Sequence, residues 1–278
     1  MKKHDFLLST VDDEVNDISV YGIDNVIKAP CIIFVHGFKG FKDWGFGPYL
    51  AEKFAESGFF VITFNFSLNG IGRGAQEFTE LEKFAQNTFS REINELNSII
   101  NAYKSGFFGH ASINKIALLG HSRGGAISLL TAHLRMDISA VVLWAAISRL
   151  DRYSDRQKEQ WRKKGTFDVL NTRTRQVMRL DVSLLDDLEK NKYDLLNIEK
   201  AVSELNCPLF IAHGEQDLAV PITEGEELYK WSDKSKTEFI KIPSAGHTFN
   251  IRHPFEGTND KFEILLDKTK EFLIEKLK

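Results

Sequence analysis

The stretch GHSRGG, residues 120–125, constrains this chain more than any other, because three glycines enclose one serine directly after the apolar run INKIALL. Glycine weakens an ordinary strand, so glycine at this density marks a backbone that turns too sharply for larger side chains. A turn of that kind puts the Ser122 hydroxyl on display.

The surrounding pattern predicts what the turn connects. KIALLG (115–120) is a short continuous apolar run, as expected of a strand buried on both faces, and GGAISLLTAHL (124–134) reads as a helix. The same alternation runs along the chain. Strands are predicted at 31–38, 59–66, 139–147, 207–214 and 237–243. Helices are predicted at 46–58, around Ile93 to Tyr103, near 222–231 and from about 260 to 277. Strands alternating with helices imply a mostly parallel sheet covered on both faces, with the first 30 residues supplying one or two antiparallel edge strands.

One segment breaks the rhythm. Residues 149–206 separate two core strands by more than a crossover requires, which predicts an α/β core at 1–148 and 207–278 and an inserted cap at 149–206. Within the insertion, 165–181 alternates enough for a small hairpin. Residues 149–179 carry ten Lys/Arg against four Asp/Glu. That basic half is either an attraction for an anionic, carboxylate-bearing substrate or a solvated helix face.

A serine hydroxyl is a poor nucleophile, so the chemistry needs a base and a group that orients the base. Among eight histidines, His247 in IPSAGHTF follows the last predicted strand and precedes the closing helix. His36 reads as a hydrogen-bonded structural histidine. Asp217 in HGEQDLAVP lies just beyond a strand's C-terminal end, where parallel sheets place their ligand loops, with Glu215 ranked behind it. The backbone N–H groups of Arg123 and Phe38 are the candidate oxyanion donors. Phe38, Phe41, Trp44 and Phe46 are candidates to line a pocket, with Arg173, Arg175 and Met178 as further candidate substrate contacts. The Arg123 side chain, expected to be buried, needs a carboxylate partner.

With HGF after one strand, GHSRGG after another, then HGEQD and AGHTF, the chain resembles the α/β-hydrolase family. It is most similar to bacterial serine esterases, among them feruloyl and cinnamoyl esterases, and to dienelactone-hydrolase-like and prolyl-oligopeptidase-like catalytic domains. The resemblance spans about 31–147 and 207–278. It implies an eight-stranded sheet, the order Ser122, Asp217, His247 as nucleophile, acid and base, cleavage of a small-molecule ester, and no cofactor or metal. A serine where dienelactone hydrolases carry cysteine disfavours their chemistry, and an aminopeptidase or amidase and a catalytically silent binding protein remain the alternatives.

The bulk properties exclude other classes. A net charge of −3 gives no footprint for nucleic acid or an anionic membrane, and no run approaches the length of a membrane helix. Cys31 and Cys207 are read as reduced thiols in a cytoplasmic protein, and a homodimer is compatible with the sequence. GIGRG (70–74) lacks the Lys-Ser/Thr ending of a phosphate loop, and 67–80 is expected to be a mobile rim loop.

Overall fold

A computed structural model describes residues 2–109 and 114–278, so His110, for which the sequence suggests no role, lies outside the described residues. The chain opens with a hairpin, β1 (Lys3–Ser9) and β2 (Val15–Tyr21), followed by β3 (Cys31–Val35), α1 (Gly47–Glu56) and β4 (Phe60–Phe64). Next come α2 (Leu81–Gln86), α3 (Phe89–Ser105), β5 (Ile116–His121), α4 (Arg123–His133) and β6 (Ala140–Trp144). The insertion folds as α5 (Asp155–Lys164), β7 (Thr166–Asn171), β8 (Gln176–Asp181), α6 (Val182–Asn191) and α7 (Ile198–Ser203). The chain then finishes with β9 (Leu209–Gly214), α8 (Ile222–Trp231), β10 (Thr237–Ile242) and α9 (Asp260–Leu277).

Eight strands form one sheet in the order β1-β2-β4-β3-β5-β6-β9-β10. Pairing is antiparallel from β1 through β2 to β4 and parallel everywhere else, as expected from the alternation and the N-terminal edge hairpin. This is the α/β-hydrolase fold.

The continuous apolar runs are explained by the two-residue period of a strand. Cys31, Ile33 and Val35 enter a core under α3 and α4, while Ile32 and Phe34 enter a second core under α1 and α9. Every residue of β3 is therefore buried, and no polar alternation is left to read. The insertion has no core of its own: Met178, Leu184, Leu188 and Ile198 belong to the same cluster as α3 and α4.

Three local expectations change. Residues 81–86, which carry no expected element, form α2, and Phe84 there packs on Phe38 at 5.4 Å between ring centroids. The strand expected over 139–147 stops at Trp144, because Ala145 takes φ 46° and leaves the β region. The expected rim loop lines neither cavity at Ser122: residues 67–71 are buried, and Ile71 bridges to Phe78.

Candidate active site

β5 ends at His121 and α4 begins at Arg123, so Ser122 is the only residue between strand and helix. Its backbone sits at φ 56°, ψ −121°, a region that costs a non-glycine residue of order 1–3 kcal/mol and persists only where the surroundings impose it. The glycines do the imposing. A Cβ on Gly120 would lie 2.3 Å from the Gly124 carbonyl oxygen, and one on Gly124 would lie 2.2 Å from that of Val35. On Gly125 it would meet the Ala146 methyl at 2.6 Å. Strand, turn, helix and the end of β3 thus approach closer than any side chain allows.

Parallel strands bring the other loops to the same end of the sheet. Val35 pairs with Gly120, and Lys241 with His213, so the segments after β3, β5, β9 and β10 leave the sheet together. Asp217 follows β9 and His247 follows β10. Asp217 Oδ2 lies 2.8 Å from His247 Nδ1, while its Oδ1 accepts from the backbone N–H of Ala219 at 2.9 Å and Val220 at 2.8 Å. Burial alone would raise the Asp217 pKa. Hydrogen bonds from His213, His247 and the Val220 N–H outweigh that and hold it well below the carboxylate range. An ionised carboxylate only accepts, so His247 Nδ1 donates to it, which in the neutral ring leaves the Nε2 lone pair free. Glu215 is exposed and its N–H is tied to the Ile242 carbonyl, which leaves Asp217 as the carboxylate that meets His247.

Two further histidines hold this pair. His213 Nε2 is 2.9 Å from the Val220 carbonyl and 3.4 Å from Asp217 Oδ2, so it donates toward both, and its ring packs where a Cβ on Gly225 would come within 2.7 Å. His121 Nε2 donates to the His247 carbonyl at 2.9 Å, with the ring between Phe46 and His247. Burial, reinforced by the neighbouring His247, pushes the His121 pKa down to about 3. His36 is buried with Nδ1 on the Gly37 carbonyl and Nε2 accepting from the Phe66 N–H, and burial pushes its pKa down to about 4. It is a structural histidine, as its position in the sequence suggests.

Ser122 and His247 line two cavities. One, of about 280 Å³, is walled by Phe38, Phe41, Trp44 and Phe46 and roofed by Asn171–Arg173 of the insertion. The other, of about 370 Å³, lies toward Phe89, Ile147, Tyr153 and Val220. Phe38 and Lys39 form part of both walls. Arg173 reaches the first cavity, its guanidinium 6.0 Å from the Phe41 ring centroid and 5.8 Å from that of Trp44.

Two expected contacts are not at the site. Met178 alternates inward on β8 and is 0% exposed within the core, so it cannot meet a ligand in either cavity. Arg175 occupies the hairpin turn at φ 58°, points to solvent and lines neither cavity. The remaining basic residues of the segment mostly pair along its surface, such as Arg162 with Asp186 and Glu189, and Lys163 with Glu159. Arg123 has the expected carboxylate partner: its guanidinium is 2.6 Å from buried Glu92 Oε1 and 4.6 Å from the Phe38 ring centroid. Burial raises the Glu92 pKa against the opposing effect of Arg123. Sequence reasoning missed Lys39, His121 and Tyr153 at the cavities or around His247, and it offered Arg152 only as one of the basic residues of the insertion. Among the three, His121 had a visible signal, its place inside the glycine box.

Among the described residues no cluster of metal-ligating side chains occurs, and no helix is long and apolar enough to cross a membrane. The fold is shared with Est1E from Butyrivibrio proteoclasticus, also solved with ferulic acid bound, at 19% identity, 98% coverage of both chains and a TM-score of 0.73. A Pyrococcus furiosus esterase matches at 17% identity over 100% of this chain and 92% of its own, with a TM-score of 0.65. A monoacylglycerol lipase from Paleococcus ferrophilus matches at 17% identity over 93% of this chain and 98% of its own, with a TM-score of 0.64. No curated protein sequence matches. The family profile described as serine aminopeptidase, S33, matches residues 28–195, more than half of the chain. The chain belongs to that family and is a hydrolase of the α/β-hydrolase fold.

Proposed function

We propose that the chain hydrolyses carboxylic esters through an acyl-enzyme on Ser122, with residues 149–206 acting as a cap. The carrying observation is a strained Ser122 sharing both cavities with His247, whose Nδ1 is fixed 2.8 Å from Asp217. His247 Nε2 takes the Ser122 proton as Oγ attacks the carbonyl carbon. The oxyanion is received by the N–H groups of Phe38 and Arg123, the latter at the start of α4 where the helix dipole adds positive potential. Collapse expels the alcohol, which leaves with the proton from His247. Water, deprotonated by His247, then attacks the acyl carbon, and collapse breaks the acyl–Oγ bond as His247 returns the proton to Ser122 and the acid is released.

Amide cleavage with capture of a free amine, the activity in the family's description, needs a carboxylate at the site. Among the described residues no Asp or Glu lines either cavity, and Glu224, the buried carboxylate nearby, is occupied by Arg152 and by Ser148. This favours esters. The names of the structural neighbours, a protein with ferulic acid bound, an esterase and a lipase, agree with the same reading.

The test is turnover of p-nitrophenyl acetate to decanoate, methyl ferulate and an aminoacyl anilide by wild type and Ser122→Ala, with fluorophosphonate labelling of Ser122. Ester turnover lost in the variant is the expected result. Cleavage of the anilide alone would move the peptidase reading ahead, and neither turnover nor label would leave a silent binding protein.

A further inference from the structure

All charged side chains that line the two cavities are cationic: Lys39 and Arg173 in the aromatic one, Lys39, Arg123 and Arg152 in the other. Two of them are neutralised locally, Arg123 by Glu92 and Arg152 by Glu224. Lys39 and Arg173 have no ion-pair partner among the described residues. Lys39 Nζ donates to the Leu170 carbonyl at 3.3 Å and lies 5.5 Å from the Phe38 ring centroid. Arg173 lies over Phe41 and Trp44, and Glu77, the carboxylate it feels, is not in ion-pair contact.

The placement has a backbone cost. Lys39 sits at φ 56°, where asparagine or glycine would be cheaper, immediately after the oxyanion residue Phe38. The two cations also oppose each other: burial and the nearby Arg173 charge both lower the Lys39 pKa. Two positive charges without an ion-pair partner among the described residues thus stand at the mouth of the aromatic cavity, Lys39 half-buried and Arg173 exposed, where one anion can meet both. Phe41 and Trp44 are in turn braced by His253, whose ring stacks on Trp44 and whose Nδ1 accepts from the Gly45 N–H at 2.9 Å.

We infer that the aromatic cavity selects esters whose seated group is apolar or aromatic and ends in a carboxylate, held by Arg173 with Lys39. The inference deepens the ester-hydrolase reading and rests on it for the bond that is cleaved. The anion recognition itself needs no turnover, so binding tests it separately. Arg173 offers two parallel N–H donors in the geometry of a carboxylate, and stacking on the rings preorganises them.

The experiment titrates benzoate and its neutral isostere benzamide into Ser122→Ala, alone and combined with Arg173→Gln or Arg173→Lys. Benzoate should bind roughly tenfold tighter than benzamide, with the difference abolished by Arg173→Gln, partly restored by Arg173→Lys, and reduced in about 0.5 M salt. Equal affinities, no measurable benzoate binding, or a preference that survives Arg173→Gln overturns the inference, whatever the enzyme does to neutral esters. A kinetic arm compares monomethyl terephthalate with methyl 4-methylbenzoate, where the anion is on the acyl side. A second compares 4-acetoxybenzoate with phenyl acetate, where it is on the leaving side. The acid-bearing member of at least one pair should show the higher kcat/KM, with its ratio to the neutral member falling about tenfold in Arg173→Gln. Ratios unchanged in both pairs would count against the assignment, while an absence of both turnover and fluorophosphonate labelling would sink only the ester-hydrolase reading.

Discussion

Replacing Gly124 by alanine separates two opposite expectations for a helical glycine. In an unconstrained helix interior the change stabilises by up to about 1 kcal/mol through propensity. Here the added Cβ would lie 2.2 Å from the Val35 carbonyl oxygen and 2.4 Å from that of His36. Both neighbours are backbone, so no rotamer can yield. Restoring the shortest contact to 3.0 Å requires α4 and the end of β3 to separate by about 0.8 Å. Overpacking of this kind costs about 1–3 kcal/mol, which exceeds the propensity gain, so the sign is destabilising. The same shift moves Gly37 and Phe38 away from Ser122, and a displacement near 1 Å costs about 100-fold in rate when it misplaces reacting groups. The assay is urea denaturation together with kcat on the best ester, for Gly124→Ala beside wild type. A variant that is as stable as wild type and within twofold in kcat would refute the view that close approach, rather than chain flexibility, explains the glycine box.

Three other outcomes follow from the same geometry. Ser122→Gly should be inactive yet more stable than wild type by about 1 kcal/mol, because glycine accepts φ 56° without strain, and a destabilised variant in chemical denaturation would contradict this. Asp217→Asn should lower kcat by roughly 10⁴-fold while leaving the fold intact, since it removes the acceptor that fixes the His247 tautomer; a loss below about tenfold would show that Asp217 does not orient the base. His36 and His121 are buried and have pKa values depressed from 6.5 to about 4 and about 3, so the unfolded chain binds protons first as pH falls. Their contribution is present above pH 6.5 and is lost as pH falls through the folded values, about 3 kcal/mol for His36 alone at 1.36 kcal/mol per pKa unit. Melting temperature should therefore drop between about pH 6.5 and 4, and His36→Gln should flatten that slope.

The sequence carried the sheet well because the strands are buried on both faces and bounded by glycine, so β3, β5 and β9 stand out as continuous apolar runs. The grouping of Ser122, His247 and Asp217, the proposed triad, could be anticipated for a related reason: in a parallel sheet each loop after a strand opens on the same side, so position in the chain implies proximity in space. The insertion was harder to read. Met178 and Arg173 lie five residues apart in one hairpin, and only the register of β7 on β8 decides that Met178 turns into the core. Nothing in the run TRTRQVMR signals that Arg173 leans over Trp44 while Arg175 lines neither cavity. Glu92 was likewise invisible as the partner of Arg123, because α3 and α4 meet only through tertiary packing.

That Arg123–Glu92 pair explains how the two proposed oxyanion donors are kept in one geometry. Phe38 lies in the loop after β3 and Arg123 opens α4 just after the adjacent parallel strand β5, with Val35 opposite Gly120, and the sheet alone fixes only where those segments leave it. The Arg123 guanidinium then lies over the Phe38 ring at 4.6 Å while Glu92 holds it from α3 at 2.6 Å. Phe38 in turn packs on Phe84 of α2. A side chain next to the nucleophile thus ties the β3 loop, α2, α3 and α4 into one unit. Arginine suits this position better than lysine, since a planar cation can stack on a ring and donate to a carboxylate at once. The buried ion pair need not add net stability, and its value on this reading lies in orientation of the N–H groups that meet the oxyanion.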